Sequence, residues 1–270
     1  MEIIERSVIP KAGDLDQCED GIAVCAHFAA VLDGATDKTG ERYEGRTGGR
    51  HVMLALSDAV PRLDPGADAY EAVRFLTAAV ADALPDDLSP EERPNASATV
   101  YSAARREVWQ VGDVGYWYEG LDPKPKRKRV DRINAALRAA ILKAELLRGA
   151  SAEDLAADDP GREAIMPLLT RQALFANNLR AGELAHGVLD GQPVPDELVA
   201  VTPVPVGITE LVLASDGYPY LLPTLVDTES RLKTLLAEDP LCMDGLAGTK
   251  AYRPGQESFD DRAYLRLGIA

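Results

Sequence analysis

Apolar stretches separated by loops rich in glycine, proline and charge predict short strands and amphipathic helices along the chain. Residues 3–9 predict a first strand. Residues 20–33 form a longer apolar stretch that His27 interrupts at its middle, which favours a hairpin turning near Ala26. A single strand would hold Asp20 and Asp33 roughly 40 Å apart, whereas the hairpin brings them to one edge of a sheet.

The rest of the pattern predicts strands and helices in blocks. Apolar residues spaced three and four apart predict helices over 50–60 and 68–84. Strands are predicted at 98–103, 107–111, 116–118, 199–204, 209–214 and 262–269, and a further helix at 221–237. Because strands and helices do not strictly alternate, we expect an α+β fold with antiparallel sheets.

Residues 121–197 differ from the sequence on either side. A basic run, 124–129, opens a predicted amphipathic helix that ends near Arg148, before Gly149. One face of this helix carries Val130, Ile133, Leu137, Ile141, Ala144 and Leu147, and a second helical region is predicted at 161–181. We therefore expect a single domain over 1–270 with a helical insertion at about 121–197. The basic run is more typical of a solvated helix start than of a binding site for an acidic partner.

Composition narrows the function. The chain has 270 residues, 46% of them hydrophobic, and a net charge of −15. This charge argues against nucleic acid or an anionic membrane as the main partner. It fits a protein that holds divalent cations, and it fits a merely soluble acidic surface equally well. Three cysteines without a Cys-x-x-Cys motif predict no disulfide framework and a reducing cytoplasm. No signal peptide or membrane-spanning stretch is predicted.

Carboxylates mark the ends of several predicted strands. Asp20 and Asp260 open strands, whereas Asp33 and Asp216 close them. In an antiparallel sheet these positions share one edge, so all four side chains can converge. One Asp-Gly at a strand end is usually a plain turn, but four acids with consistent positions make that explanation less adequate. Clustered carboxylates repel one another, and Mg²⁺ or Mn²⁺ would relieve the repulsion.

Six short motifs, in their order and spacing, resemble those of the type 2C metal-dependent protein phosphatase family. They are Glu19-Asp20-Gly21, Asp33-Gly34, Ser97-Ala98-Thr99, Val111-Gly112-Asp113, Leu213-Ala214-Ser215-Asp216-Gly217 and Asp260-Asp261-Arg262-Ala263. The resemblance covers about residues 1–120 and 198–270. It implies two antiparallel β-sheets packed as a sandwich and flanked by helices. It also implies two Mn²⁺ or Mg²⁺ ions and direct attack by metal-bound water on phosphoserine or phosphothreonine.

The resemblance also implies roles for individual residues. Asp33 would bridge the two ions, and Asp33 and Asp216 would be the catalytic acids. The implied metal ligands are Asp20, Asp33, the carbonyl of Gly34, Asp216 and Asp260, with Asp113 as ligand of a third, weaker ion. Asp261 would be a neighbour rather than a ligand.

The chain departs from the family pattern after Asp33-Gly34. Ala35 stands where the family has a histidine proposed as proton donor, and the glycine pair of the motif appears only at Gly48-Gly49. If the intervening loop is an insertion, its basic residues would meet the substrate phosphate; these are Lys38, Arg42 and Arg46. The competing interpretation is a solvated charged loop. The family's upstream phosphate-binding arginine is missing, and Lys11 is the nearest upstream base.

The leading hypothesis is metal-dependent hydrolysis of a phosphomonoester, carried by serine or threonine of a phosphorylated protein. One alternative is a phosphatase-like binding or regulatory module with little turnover, which the missing histidine and arginine motivate. Another is a phosphatase for a small phosphoester, with a pocket built by the insertion. Activity on peptides versus metabolites would separate the last from the first.

Overall fold

The larger of two sheets is built around the predicted hairpin. The computed structural model of the protein describes residues 1–35, 40–122, 124, 127–253 and 255–269. Five antiparallel strands follow the order β2-β3-β6-β7-β9. They are β2 (Asp20–Val24), β3 (Phe28–Ala35), β6 (Asn95–Ser102), β7 (Glu107–Val111) and β9 (Val199–Pro203).

The second sheet has four antiparallel strands in the order β1-β11-β10-β8. They are β1 (Glu2–Ile9), β8 (Gly115–Trp117), β10 (Glu210–Ala214) and β11 (Arg262–Gly268). The sequence did not reveal a two-residue pair, β4 (Arg42–Tyr43) and β5 (Arg46–Thr47), which forms a separate small hairpin.

Six α-helices complete the described part of the chain. They are α1 (Gly48–Ala59), α2 (Ala69–Ala83), α3 (Arg129–Arg148), α4 (Ala152–Ala157), α5 (Pro160–Arg171) and α6 (Leu225–Glu238). Helix α2 begins where Asp68 and Glu71 form a reciprocal capping box. Helix α3 ends at Gly149, whose φ of 101° is the left-handed conformation that glycine tolerates. None of the helices described is long and apolar enough to cross a membrane.

Three apolar cores define four layers, in the order helix, sheet, sheet, helix. The core between the sheets contains Ile22, Val31, Tyr101 and Val108 from the larger sheet and Leu211, Leu213, Leu265 and Leu267 from the smaller one. Helices α1 and α2 cover the outer face of the larger sheet, and α6 covers that of the smaller sheet. The expected α+β sandwich of two antiparallel sheets flanked by helices is confirmed.

The helical segment 121–197 lies between β8 and β9 in the sequence, and its description as an insertion into one domain remains a prediction. The predicted apolar face of α3 is wrong in part, because Ile133, Leu137 and Leu147 are exposed. The buried face instead contains Arg138, which is fully buried. Its guanidinium donates to the carbonyls of residues 241, 242 and 248 and pairs with Asp159 at 2.8 Å.

Candidate metal centre

The β2–β3 hairpin places two acids side by side. Asp20 and Asp33 are direct cross-strand partners at the open end of the hairpin, and Asp20 is only 5% exposed. The turn lies at residues 25–27, as predicted, and His27 is exposed there. The backbone N–H of Gly34 donates to the carbonyl of Glu19 at 3.0 Å, which continues the pairing beyond the two acids.

The smaller sheet contributes acids at its own edge. Asp216 follows the end of β10, and Asp260 and Asp261 precede the start of β11. A Cβ on Gly217 would lie 2.1 Å from the carbonyl oxygen of Asp261. Only glycine therefore lets these two segments approach so closely, which explains the Asp-Gly sequence at this strand end.

The carboxylates of the two sheets act on one another. Burial, followed by the charges of Asp216 and Asp20, raises the pKa of Asp33 well above its usual range. The pKa of Asp20 is also raised. Burial is the largest cause and the charge of Asp260 adds to it, whereas a hydrogen bond with Ser215 opposes the shift. Burial and then the charges of Asp260 and Asp113 raise the pKa of Asp216 to about 7. The four acids that the sequence placed at strand ends therefore form one electrostatic cluster.

Lysines neutralise the acids at the edge of the smaller sheet. Lys11 Nζ lies 2.9 Å from Asp261 Oδ2 and 3.6 Å from Asp260 Oδ1, and Lys250 Nζ lies 2.6 Å from Asp260 Oδ2. Burial alone would raise the pKa of Asp260, but Lys250 and Lys11 hold it below its usual value. Lys11, the nearest upstream base in the sequence, thus lies at the acid cluster.

A third lysine binds Asp113. Lys128, just before α3, places its Nζ 2.9 Å from Asp113 Oδ1, and the Ser97 hydroxyl donates to the same oxygen at 2.8 Å. Gly112 (φ +89°) could not carry a side chain here, since its Cβ would lie 2.2 Å from Ser97 Oγ. In this structure an ammonium takes the place at Asp113 where the sequence predicts a third ion, so that role stays a prediction. The expectation that the basic run is solvated is wrong for Lys128, whose side chain is 16% exposed.

The chain leaves the cluster after Ala35 and returns at Gly48-Gly49. A Cβ on Gly34 would lie 2.3 Å from the carbonyl oxygen of Gly49. The glycine pair that follows Asp-Gly after one residue in the family pattern therefore lies beside Gly34 in space. Among the described residues between these glycines, Arg42 donates to the carbonyl of Gly45 at 3.0 Å and Arg46 pairs with Glu44 at 3.1 Å. Lys38 lies outside the residues that the structure describes. Phosphate binding by these three residues stays a prediction.

The other two histidines, His51 and His186, contact backbone carbonyls. His51 Nε2 is 2.9 Å from the carbonyl oxygen of Ala83, and its ring stacks 5.4 Å from that of Tyr43, which is a structural role. His186 Nδ1 is 3.1 Å from the carbonyl oxygen of Leu184. Sequence patterns gave no sign that Lys250 lies at the acids, because it is a single residue in a loop without periodicity, and the basic run that contains Lys128 was interpreted as a solvated helix start.

The donor chemistry fits a hard divalent cation at the hairpin. Asp20 Oδ2 is buried without a hydrogen-bond partner, and buried carboxylate oxygens of this kind are the ligands that Mg²⁺ and Mn²⁺ prefer. Among the described residues, no group of three or more Asp, Glu, His or Cys side chains is arranged so that it could hold a metal ion without moving. Asp20 and Asp33 are therefore available to a cation, whereas Asp260 and Asp113 would first exchange a lysine contact for it.

Comparison with known proteins gives structural likenesses only, since no family model and no curated protein matches the chain. PstP/Ppp, a serine/threonine phosphatase of Mycobacterium tuberculosis, is 17% identical over 97% of this chain and 96% of its own, with a TM-score of 0.47. MsPP, a PPM Ser-Thr phosphatase of Mycobacterium smegmatis, is 11% identical over 100% of both chains, with a TM-score of 0.48. Stp1, a serine/threonine phosphatase of Staphylococcus aureus, is 12% identical over 100% of this chain and 98% of its own, also at 0.48. At these values the likeness does not establish what this chain does, which its own residues must decide.

Proposed function

We propose that the protein hydrolyses phosphomonoesters with the help of Mn²⁺ or Mg²⁺, and that its substrate is phosphoserine or phosphothreonine of a protein. The observation that carries the proposal is the cross-strand pairing of Asp20 with Asp33, coupled to Asp216 and Asp260 of the other sheet. Carboxylates that raise one another's pKa are costly to keep together. Divalent cations offset this cost, which gives the arrangement a use in catalysis.

Each residue has a place in this proposal. Asp20, Asp33 and the carbonyl of Gly34 would hold cation on the side of the larger sheet, and Asp216 and Asp260 on the side of the smaller sheet. The chemistry that two such ions supply when bound is activation of water and neutralisation of phosphate charge. The protein's own contribution is to fix the acids, because Lys11 binds Asp261 through both its backbone N–H and its ammonium.

The cysteines and the net charge support a proposal for the compartment and the partners of the protein. Cys18, Cys25 and Cys242 are free thiols, which fits a reducing compartment, and we place the protein in the cytoplasm. A net charge of −15 disfavours nucleic acid and anionic membranes as partners.

One observation favours a phosphatase-like binding or regulatory module instead. Lysine ammonium groups already contact Asp113, Asp260 and Asp261, so these acids are neutralised without any metal. Such a protein would bind a phosphorylated partner and turn it over slowly or not at all.

The deciding experiment is hydrolysis of p-nitrophenyl phosphate and of a phosphothreonine peptide, measured across a Mn²⁺ titration. Asp216→Ala should abolish manganese-dependent turnover, and Asp82→Ala, which removes an exposed acid of α2, should leave it intact. No turnover by a folded wild type that binds Mn²⁺ would favour the binding module. Turnover of the small ester with none of the peptide would favour a small phosphoester as substrate.

A further inference from the structure

A cavity of about 80 Å³ adjoins the acid cluster. It lies between the larger sheet and the helical segment, and its polar lining comes from both. Its lining includes Ala35, Glu91, Arg93, Lys128, Gln172, Ala173 and His186. Ala35 is the second residue after Asp33, and Lys128 is the partner of Asp113, so the cavity begins where the acids end.

Lys128 is the cation at this boundary. An ammonium has three N–H donors, and the contact with Asp113 at 2.9 Å uses one of them. Because the Ser97 hydroxyl also donates to that Asp113 oxygen, the carboxylate is held from two sides and fixes the ammonium.

The rest of the lining includes the charged side chains of Glu91 and Arg93, of which Arg93 donates to the carbonyls of Asp190 and Asp86. It also offers two hydrogen-bond acceptors. Gln172 Oε1 is buried and has no hydrogen-bond partner. His186 Nδ1 must donate to the carbonyl of Leu184, so in the neutral ring Nε2 is an acceptor. Burial and the nearby charge of Lys128 lower the pKa of His186, which favours that neutral form. A ligand group that brings N–H or O–H donors would satisfy such a lining.

The volume limits what can enter. One water needs about 10–15 Å³ of such a cavity, and a cavity that binds benzene measures about 150 Å³, so this one has room for a group of a few non-hydrogen atoms. A nucleotide base or a large aromatic ring exceeds that, whereas the polar end of a serine, threonine or asparagine side chain does not.

We propose that Lys128 binds the phosphate of the substrate and that the cavity beside it receives a small, donor-bearing side chain next to the phosphorylated residue of a peptide. This rests on the proposed function and specifies its substrate. The phosphate would meet the ammonium on the side away from Asp113, and the neighbouring side chain would donate to Gln172 and His186.

Binding measurements test this without relying on turnover. Inorganic phosphate and two phosphothreonine peptides, with asparagine or leucine beside the phosphorylated residue, are titrated by calorimetry into the full chain in EDTA, where metal-dependent hydrolysis cannot consume the peptides. Lys128→Met should weaken phosphate and both peptides by about tenfold, since a charge-assisted hydrogen bond is lost. Lys124→Met, which removes a lysine stacked on Tyr220 from the same basic run, should change none of them by more than about twofold.

The cavity is tested separately by Ala173→Leu, which fills it from the helical segment. This variant should weaken the asparagine peptide at least fivefold and leave inorganic phosphate unchanged. If Lys128→Met fails to fold, Lys128→Met combined with Asp113→Asn removes both charges and is titrated instead.

Unchanged phosphate affinity without Lys128 would overturn the assignment of that residue, and unchanged peptide affinity in Ala173→Leu would overturn the cavity. These outcomes are distinct from failure of the proposed function. A wild type that binds phosphate through Lys128 but never turns over refutes the hydrolase alone, and turnover that ignores Lys128 refutes this proposal alone.

Discussion

Lys250→Met removes the ammonium that lies 2.6 Å from Asp260 Oδ2. In this structure that ammonium neutralises an acid to which the proposed function assigns a cation. Lysine and divalent cation therefore compete for one carboxylate. Removing the lysine should lower the stability of the metal-free protein and raise its affinity for Mn²⁺.

The magnitude follows from exposure. The Lys250 and Asp260 side chains are 29% and 24% exposed, which places the pair between a surface ion pair and a buried charge-assisted hydrogen bond. After discounting for solvent screening, we assign it about 1 kcal/mol. That corresponds to about a fivefold tighter Kd for Mn²⁺ and, for a chain of this length, to a Tm lower by about 2–4 °C in EDTA.

Calorimetric titration with Mn²⁺ measures the affinity, and thermal melts in EDTA and in saturating Mn²⁺ measure the stability. The variant and the wild type should differ in EDTA and converge in Mn²⁺. Lys143→Met, an exposed lysine of α3, controls for the change in net charge. An unchanged or weaker Kd for Mn²⁺ in Lys250→Met would refute the competition and remove Asp260 from the ligands.

Three further predictions concern stability. Asp33→Asn should abolish manganese-dependent turnover of p-nitrophenyl phosphate yet raise the Tm in EDTA, because it removes a half-buried carboxyl group whose pKa burial and acidic neighbours raise; a lower Tm would contradict this. Burial and nearby acids raise the pKa of Asp216 to about 7, whereas the pKa of an aspartate in the unfolded chain is about 3.9. The folded state therefore binds this proton more tightly than the unfolded state does. The free energy of unfolding should fall as the pH rises from about 4 through about 7, by at most about 1.4 kcal/mol per pH unit. Melts in EDTA across that range should show a smaller slope for Asp216→Asn than for the wild type, and equal slopes would exclude Asp216 as the source. Arg138→Ala should cost about 3–5 kcal/mol in urea unfolding, because it takes a fully buried guanidinium away from Asp159 and from three backbone carbonyls. Arg148→Ala on the exposed end of α3 should cost less than about 0.5 kcal/mol.

The strands could be predicted from the pattern of apolar residues, whereas their packing as a sandwich of two sheets was implied only by the family resemblance. The hairpin of β2 and β3 needs Asp20 opposite Asp33, and a slip of one residue would turn every apolar side chain of one strand to the wrong face. Chain order alone therefore set the acids of the larger sheet side by side. The same reasoning located Asp216 and Asp260 at the ends of neighbouring strands in the other sheet. Hydrogen bonds between Ser215 and Ala263 join the two strands at this end.

The cations of the site could not be predicted this way. Lys128 and Lys250 lie in irregular segments, where no period relates sequence position to direction in space. The buried face of α3 was misassigned for a related reason. Hydrophobic spacing finds apolar faces, but this helix packs its Arg138 face against backbone carbonyls, and a guanidinium with five donors satisfies them. Burial there is decided by hydrogen bonding and leaves no apolar stripe to detect.

The helical segment contributes little to the three cores of the sandwich. Its own small core joins Leu142 and Leu155 to Leu241 and is separate from them. It contributes more at the acids, because Lys128 at its start neutralises Asp113.

Its second contribution is indirect. Arg138 and Arg162 donate to carbonyls of residues 241, 242, 248 and 249, the stretch that leads directly into Lys250. Two of the three lysines at the acid cluster are thus positioned by a segment that contributes little to the cores of the sandwich. Any shift of that segment would change how many acids are neutralised, and with it the repulsion among the carboxylates and their demand for a cation. The segment is therefore better understood as part of the site than as an appendage to the fold.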